Sequence, residues 1–154
     1  MDELSLHILD IAQNSIRANA TQICITIDEN EIDNQYVLTI EDDGIGMSPD
    51  FLASVVGALR ATPHVEARYA TPLQQIEKKC GGQGLPWLKH IAERANGNLE
   101  IFSEKNVGTK VVATFEFDHV NRLPLGDIAG VLNILQRMNP NLEFVYKHIR
   151  PKDE

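Results

Sequence analysis

The stretch YVLTIEDDGIGM (Tyr36–Met47) is the most informative part of this chain. Apolar residues alternate through YVLTIE, as a strand buried on one face requires. DDGIGM then breaks the pattern with two glycines. Glycines placed directly after an apolar strand let the backbone come close to a ligand. An aspartate at the strand end can accept a hydrogen bond from an exocyclic amine, and a buried contact of that kind discriminates against bases lacking the amine. A plain Asp-Gly turn has the same composition, so the neighbouring segments carry weight in the reading.

Upstream, QICITID (Gln22–Asp28) alternates in the same way, and the polar turn Glu29–Gln35 joins the two strands into a hairpin. Before it, LSLHILDIAQNSIRAN (residues 4–19) has helical spacing, with Leu6, Leu9, Ala12 and Ile16 as an apolar stripe and Asp2 or Ser5 as its cap. Asp10, Asn14 and Arg17 fall at i, i+4 and i+7, on a second face. A carboxylate and an amide oxygen on one face are hard donors suited to Mg²⁺, which also takes phosphates and waters. A carboxylate near a terminal phosphate can also orient a water or hydroxyl. A solvated helix face carries such a pair equally well.

Downstream, Ser48 caps a short helix that starts at Pro49. Periodicity fades from about Gly57 to Cys80. A structureless stretch of that length is usually functional, and it reads as a lid with a short helix at Pro72–Lys79. Arg60, Arg68, Lys78 and Lys79 are its candidate phosphate partners. GGQGLPWLKHIAERANG (Gly81–Gly97) is a glycine-rich turn that opens a helix closed by Gly97. Glycines there expose backbone N–H groups at the positive end of the helix dipole, where phosphate binds. This turn lacks the spacing of a Walker loop, and the segment before it does not read as the strand that a dinucleotide fingerprint requires. Strands at Asn98–Ser103 and Thr109–Phe117, a helix at Leu125–Met138 and a strand at Leu142–His148 complete the chain. This order predicts an α+β fold, a two-layer sandwich whose mixed, mostly antiparallel sheet carries helices on one face. One domain spans residues 1–150, with a core at 4–117, a helix-strand extension at 118–148 and a tail at 149–154.

Composition narrows the partners. With 154 residues, 43% of them hydrophobic and 23% charged, the chain suits a globular domain and not a fibrous or disordered one. A net charge of -8 lacks the basic footprint of a nucleic-acid binder. An anionic nucleotide would therefore be held by backbone N–H groups, a metal and a few local cations. Cys24 and Cys80 have no metal-ligand spacing. With no apolar run long enough to span a membrane, and acidic residues where a signal peptide is positive, a cytoplasmic setting is expected.

Together, LDIAQNSIRANAT (Leu9–Thr21), EDDGIGM (Glu41–Met47) and the run from Gly81 to Phe115 resemble three motifs of the histidine-kinase-like ATPase superfamily. That superfamily includes sensor histidine kinase catalytic domains, anti-sigma-factor kinases, type II topoisomerase ATPase domains, mismatch-repair ATPases and the ninety-kilodalton chaperones. The first segment looks like the N-box, the second like the D-x-G-x-G box, and the third like the second glycine box with its helix and hairpin. The resemblance implies a Bergerat ATP-binding fold with ATP and Mg²⁺ as ligands. It implies that Asp42 binds the adenine amino group, and that Gly46 and, through water, Thr109 complete the adenine site. Gly44, Met47 and Leu85 join the nucleotide-contacting set, Gly82 and Gly84 lie at the phosphates, and Asn14 ligates the metal. Asp10 stands where many members have a glutamate that acts as base or orients water. It is one methylene shorter, which weakens the case for direct base chemistry. Pro86 stands where a third glycine is frequent. The expected function is phosphoryl transfer from ATP to Ser, Thr or His of a partner protein in signalling. The alternative is an ATP/ADP-sensing module without turnover. A homodimer is compatible with both.

Overall fold

A computed structural model describes residues 3–61 and 84–150. The elements in chain order are α1 (Leu4–Arg17), β1 (Gln22–Asn30), β2 (Gln35–Asp42), α2 (Pro49–Ala61), α3 (Gly84–Arg94), β3 (Asn98–Glu104), β4 (Gly108–Glu116), α4 (Ile128–Met138) and β5 (Glu143–Ile149). The expected short helix at Pro72–Lys79 lies outside the described residues. Five strands form one sheet in the order β3-β4-β2-β1-β5. β5 runs parallel to β1, and the other neighbours are antiparallel. This is the mixed, mostly antiparallel α+β sheet that the sequence predicts.

Period-2 patterning puts Ile23, Ile25 and Ile27 of β1, Tyr36, Leu38 and Ile40 of β2, and Val111, Ala113 and Phe115 of β4 on one buried face. The helices cover that face with Leu4, Ile8, Ile11 and Ala12 of α1, Val55 and Leu59 of α2, Leu85, Leu88 and Ile91 of α3, and Val131 and Leu135 of α4. The stripe on α1 differs from the expected one. Leu6 is 36% exposed, and the buried set includes Ser5, His7 and Ser15. An apolar-only count misses this rotation because three polar residues belong to the inward face.

Two helices stop in the same way. In α1, Asn19 takes φ 61, and the N–H groups of Asn19 and Ala20 donate to the carbonyls of Ile16 (3.0 Å) and Ser15 (3.1 Å). In α3, Asn96 takes φ 64, and the N–H groups of Asn96 and Gly97 donate to Glu93 (3.1 Å) and Ala92 (2.8 Å). Both are Schellman closures with asparagine in the left-handed position. Gly97 is thus not the left-handed residue, as the sequence suggested. It must be glycine for another reason: a Cβ there would lie 1.7 Å from the Thr114 carbonyl oxygen.

Glu3, the N-cap of α1, makes no side-chain cap hydrogen bond. Instead, the Leu4 and Ser5 N–H groups donate to the carbonyls of Pro124 (2.9 Å) and Leu125 (2.8 Å), so chain from the 118–148 extension satisfies orphan donors of the first helix. α4 begins later than expected because Gly126 takes φ +80 and Asp127 is the N-cap, accepting from the Gly130 N–H at 3.0 Å. α2 runs beyond the expected limit at Gly57, since Val55 and Leu59, one turn apart, both anchor it in the core. Among the described residues no helix is long and apolar enough to cross a membrane.

The two helix-associated glycines give opposite predictions. Gly97→Ala forces backbone apart and should cost about 1–3 kcal/mol. Gly57→Ala adds a methyl that meets nothing within 4 Å and should stabilise by roughly 0.5–1 kcal/mol. Urea denaturation midpoints measure both, and an unchanged midpoint for Gly97→Ala contradicts the close approach to β4.

Candidate functional site

The loop after β2 is held from two sides. On one side, the Ile45 N–H donates to the Ala18 carbonyl at 2.9 Å, and a Cβ on Gly44 would lie 2.7 Å from that same oxygen. On the other, the Asn106 N–H donates to the Ile45 carbonyl at 2.6 Å. Gly46 takes φ +66, and a Cβ there would sit 2.0 Å from the Glu104 carbonyl oxygen. The glycine pair therefore lets the loop pass between the end of α1 and the β3–β4 turn.

Beside this loop opens a cleft of about 400 Å³. Ile11, Asn14, Ser15, Arg17 and Ala18 of the α1 segment form one wall, and Ile40, Asp42, Thr109 and Val111 supply the sheet side. Ile45, Gly46 and Met47, with Phe51 and Val55 of α2 and Leu85 of α3, enclose the rest. The wall is mostly apolar, with a few converging polar groups, as small-molecule sites usually are.

Asp42 is tightly committed. Its Oδ1 accepts from the Gly44 N–H (2.9 Å) and the Thr109 N–H (3.3 Å). Its Oδ2 accepts from the buried Ser15 hydroxyl at 2.5 Å. A carboxylate offers about four acceptor positions, so one remains on Oδ2. Next to it, the Ser103 hydroxyl accepts from the Met47 N–H (2.9 Å), donates to the Gly108 carbonyl (3.0 Å), and lies 2.8 Å from the Thr109 hydroxyl. On the helix wall, Arg17 donates to the side-chain oxygen of Asn14. Arg17 is the cation on this cleft among the described residues.

Of the residues singled out in the sequence, Asn14, Asp42, Gly46, Met47, Leu85 and Thr109 meet on this cleft. Gly44 is buried behind it as a donor to Asp42. Asp10 and Gly84 are not on its wall. They pack on each other instead, with a Cβ on Gly84 only 3.1 Å from the Asp10 Cβ. Gly82 and the lid cations Arg68, Lys78 and Lys79 lie outside the described residues, as does the side chain of Arg60. Sequence reasoning misses Ser15, Ser103 and Arg17 as parts of the site. Ser15 has a signal: a hydroxyl beside Asn14 and four residues after the buried Ile11. Ser103 has none, because only the strand register brings it to Thr109.

Hard oxygen donors at Asn14 suit Mg²⁺. Among the described residues no group of three or more His, Cys, Asp or Glu could hold a metal. A single amide oxygen at Asn14 would be one ligand of an ion that takes its others from phosphates and water.

A helix bearing an asparagine thus lies over a mixed sheet, and an aspartate-glycine loop closes an apolar cleft beside it. A family model described as "Histidine kinase-, DNA gyrase B-, and HSP90-like ATPase" matches residues 2–119, and the chain belongs to that family. Among solved structures, the Aquifex aeolicus MutL ATPase domain complexed with ADP is similar, with a TM-score of 0.55 and 17% identity. The match covers 100% of this chain and 63% of that one, so the present chain spans less than two thirds of it, and the likeness is one of fold. No curated protein matches.

Asp43, next to the site, ties the loop to β1. It accepts from the Thr21 hydroxyl (2.5 Å), the Thr21 N–H (2.7 Å) and the Gln22 N–H (2.9 Å). The Thr21 hydroxyl first, and the Gln22 N–H next, hold its carboxyl below the usual range. A carboxyl whose folded pKa is depressed contributes stability above its unfolded pKa and loses it as pH falls through the folded one. Between about pH 5 and pH 2 the wild type should therefore lose more stability than Asp43→Asn. Parallel acid titrations of the two by circular dichroism contradict this if they superimpose.

Proposed function

We propose that the cleft binds Mg-ATP and that the chain is a kinase domain, transferring the γ-phosphate to Ser, Thr or His of a partner protein. The observation that carries the nucleotide reading is Asp42. It closes an apolar slot, is fixed by three donors, and keeps one acceptor position for an amine. Family membership and the fold shared with an ADP-complexed ATPase domain support the same reading.

In this reading the purine lies between the apolar walls at Ile40, Val111 and Met47, with its amino group on Asp42 and Thr109 beside it. The phosphates run toward Asn14 and Arg17, with Gly82, Gly84 and the lid cations closing over them. When bound, Mg²⁺ neutralises phosphate charge and polarises the transferring group. Asn14 offers it an oxygen, and the Arg17 guanidinium holds that amide in place. A chain of net charge -8 needs such local cations to admit an anion. A cytoplasmic setting fits the half-buried free thiol of Cys24.

One observation favours the second reading, an ATP/ADP-sensing module without turnover. Asp10, the residue expected to orient the attacking group, packs on Gly84 and is absent from the cleft wall. Incubating the protein with γ-labelled ATP and candidate partners separates the two. A labelled partner supports the kinase, whereas tight binding with neither label transfer nor hydrolysis supports the sensor.

Two substitutions test the shared part. Asp42→Asn leaves a donor facing the amine and should weaken ADP binding about tenfold to a hundredfold. Asn14→Ala should abolish most of the Mg²⁺-dependence of ATP affinity while leaving Mg²⁺-free binding nearly unchanged. Isothermal titration with and without Mg²⁺ reads both, and wild-type affinity in both variants contradicts the site.

A further inference from the structure

Among the described residues the Ser103 hydroxyl has three hydrogen-bonding neighbours and a single proton to share among them. The Met47 N–H can only donate to it, at 2.9 Å, and the Gly108 carbonyl can only accept from it, at 3.0 Å. The third neighbour, the Thr109 hydroxyl at 2.8 Å, can do either. If Ser103 gave its proton to Thr109, the Ser103 and Gly108 oxygens would face each other at 3.0 Å with no hydrogen between them. If Ser103 gives it to Gly108, every contact is satisfied. The hydroxyl then donates once and accepts twice, which is its full capacity. The Thr109 proton must then point at Ser103.

We propose that Ser103 is a specificity-determining positioning residue: it fixes the Thr109 hydroxyl as an acceptor toward the cleft, so that Thr109 and Asp42 together present an all-acceptor edge to the base. This rests on the proposed nucleotide site. Ser15 and the Gly44 and Thr109 N–H groups already leave Asp42 with an acceptor position only. The Thr109 hydroxyl would be the one group on that edge able to turn and donate, and Ser103 prevents it. A purine with a 6-amino group meets two acceptors. A purine with a 6-oxo group sets its own acceptor against the same two and has only its N1–H to give to one of them, so at least one buried acceptor is left unpaired.

Calorimetric titration of the whole chain with ADP and with inosine diphosphate tests this, because the two ligands differ at the base edge and share ribose and phosphates. Wild type should prefer ADP at least roughly tenfold. Ser103→Ala should narrow that preference about fivefold, chiefly by tightening inosine diphosphate binding, because the freed Thr109 hydroxyl can then donate to the oxo group. Ser103→Thr keeps a hydroxyl and should keep the wild-type ratio. Thr109→Val removes the acceptor while keeping the Ser103 hydroxyl and should also narrow the ratio, this time by weakening ADP. If Ser103→Ala weakens both ligands equally, Ser103 only shapes the loop and the inference is overturned. It is overturned as well if Ser103→Ala does not fold and Thr109→Val keeps the wild-type ratio. If wild type binds neither ligand, the nucleotide reading itself fails, and the inference with it.

Discussion

The polar contacts of Asp42 in the cleft follow from the path of the loop between Asp42 and Met47. That loop must reach from the end of β2 between two pieces of backbone, the Ala18 carbonyl at the end of α1 and the Glu104 carbonyl at the β3–β4 turn. Side chains at positions 44 and 46 would collide with these, and at 46 the left-handed backbone adds a second restriction. Held there, the loop aims Asp42 into the cleft and lets the Gly44 N–H and the Ser15 hydroxyl reach its two oxygens. The polar centre is therefore built by main-chain geometry first and side-chain chemistry second.

The surrounding fold stabilises this arrangement at a distance. α1 contributes Ile8, Ile11 and Ala12 to the core and Asn14 and Ser15 to the cleft, so its rotation sets both. Its first turn is satisfied by carbonyls from the segment before α4, and its last turn by the Asn19 closure. The extension after residue 117 therefore does more than lengthen the chain. It adds β5 beside β1 and fixes where the helix carrying Asn14 begins. The opposite end of the sheet has its own cluster, where Arg122 stacks 4.3 Å over the Tyr36 ring. Burial, with Glu29 adding to it, pushes the Tyr36 hydroxyl up to about 12.

Much of this is legible in the residues. Alternation in QICITID and YVLTIE marks β1 and β2, Ser48-Pro49 marks the start of α2, and the order of elements implies the class of sheet. Asp42 and Thr109 stand out in the sequence because glycines and strand ends flank them, and Asn14 because it shares a helix face with Asp10. What escapes depends on three-dimensional placement. Leu6 reads as inward because apolarity stands in for burial, whereas Ser5, His7 and Ser15 are inward for reasons no hydropathy pattern contains. Gly57 reads as a helix end because glycine is a poor helix former, yet Val55 and Leu59 outweigh its modest cost. Asp10 reads as a cleft residue from its spacing to Asn14, but the close approach of Gly84 occupies that turn of the helix.

If one cleft takes a purine at Asp42 and a phosphate-bound metal at Asn14, a crystal structure of the chain with Mg²⁺ and a non-hydrolysable ATP analogue will reveal both contacts at once. The 6-amino nitrogen should lie within hydrogen-bonding distance of Asp42 Oδ2, and the metal within about 2.0–2.1 Å of the Asn14 side-chain oxygen. An analogue bound elsewhere on the protein, or one turned so that Asp42 meets ribose or phosphate, contradicts this.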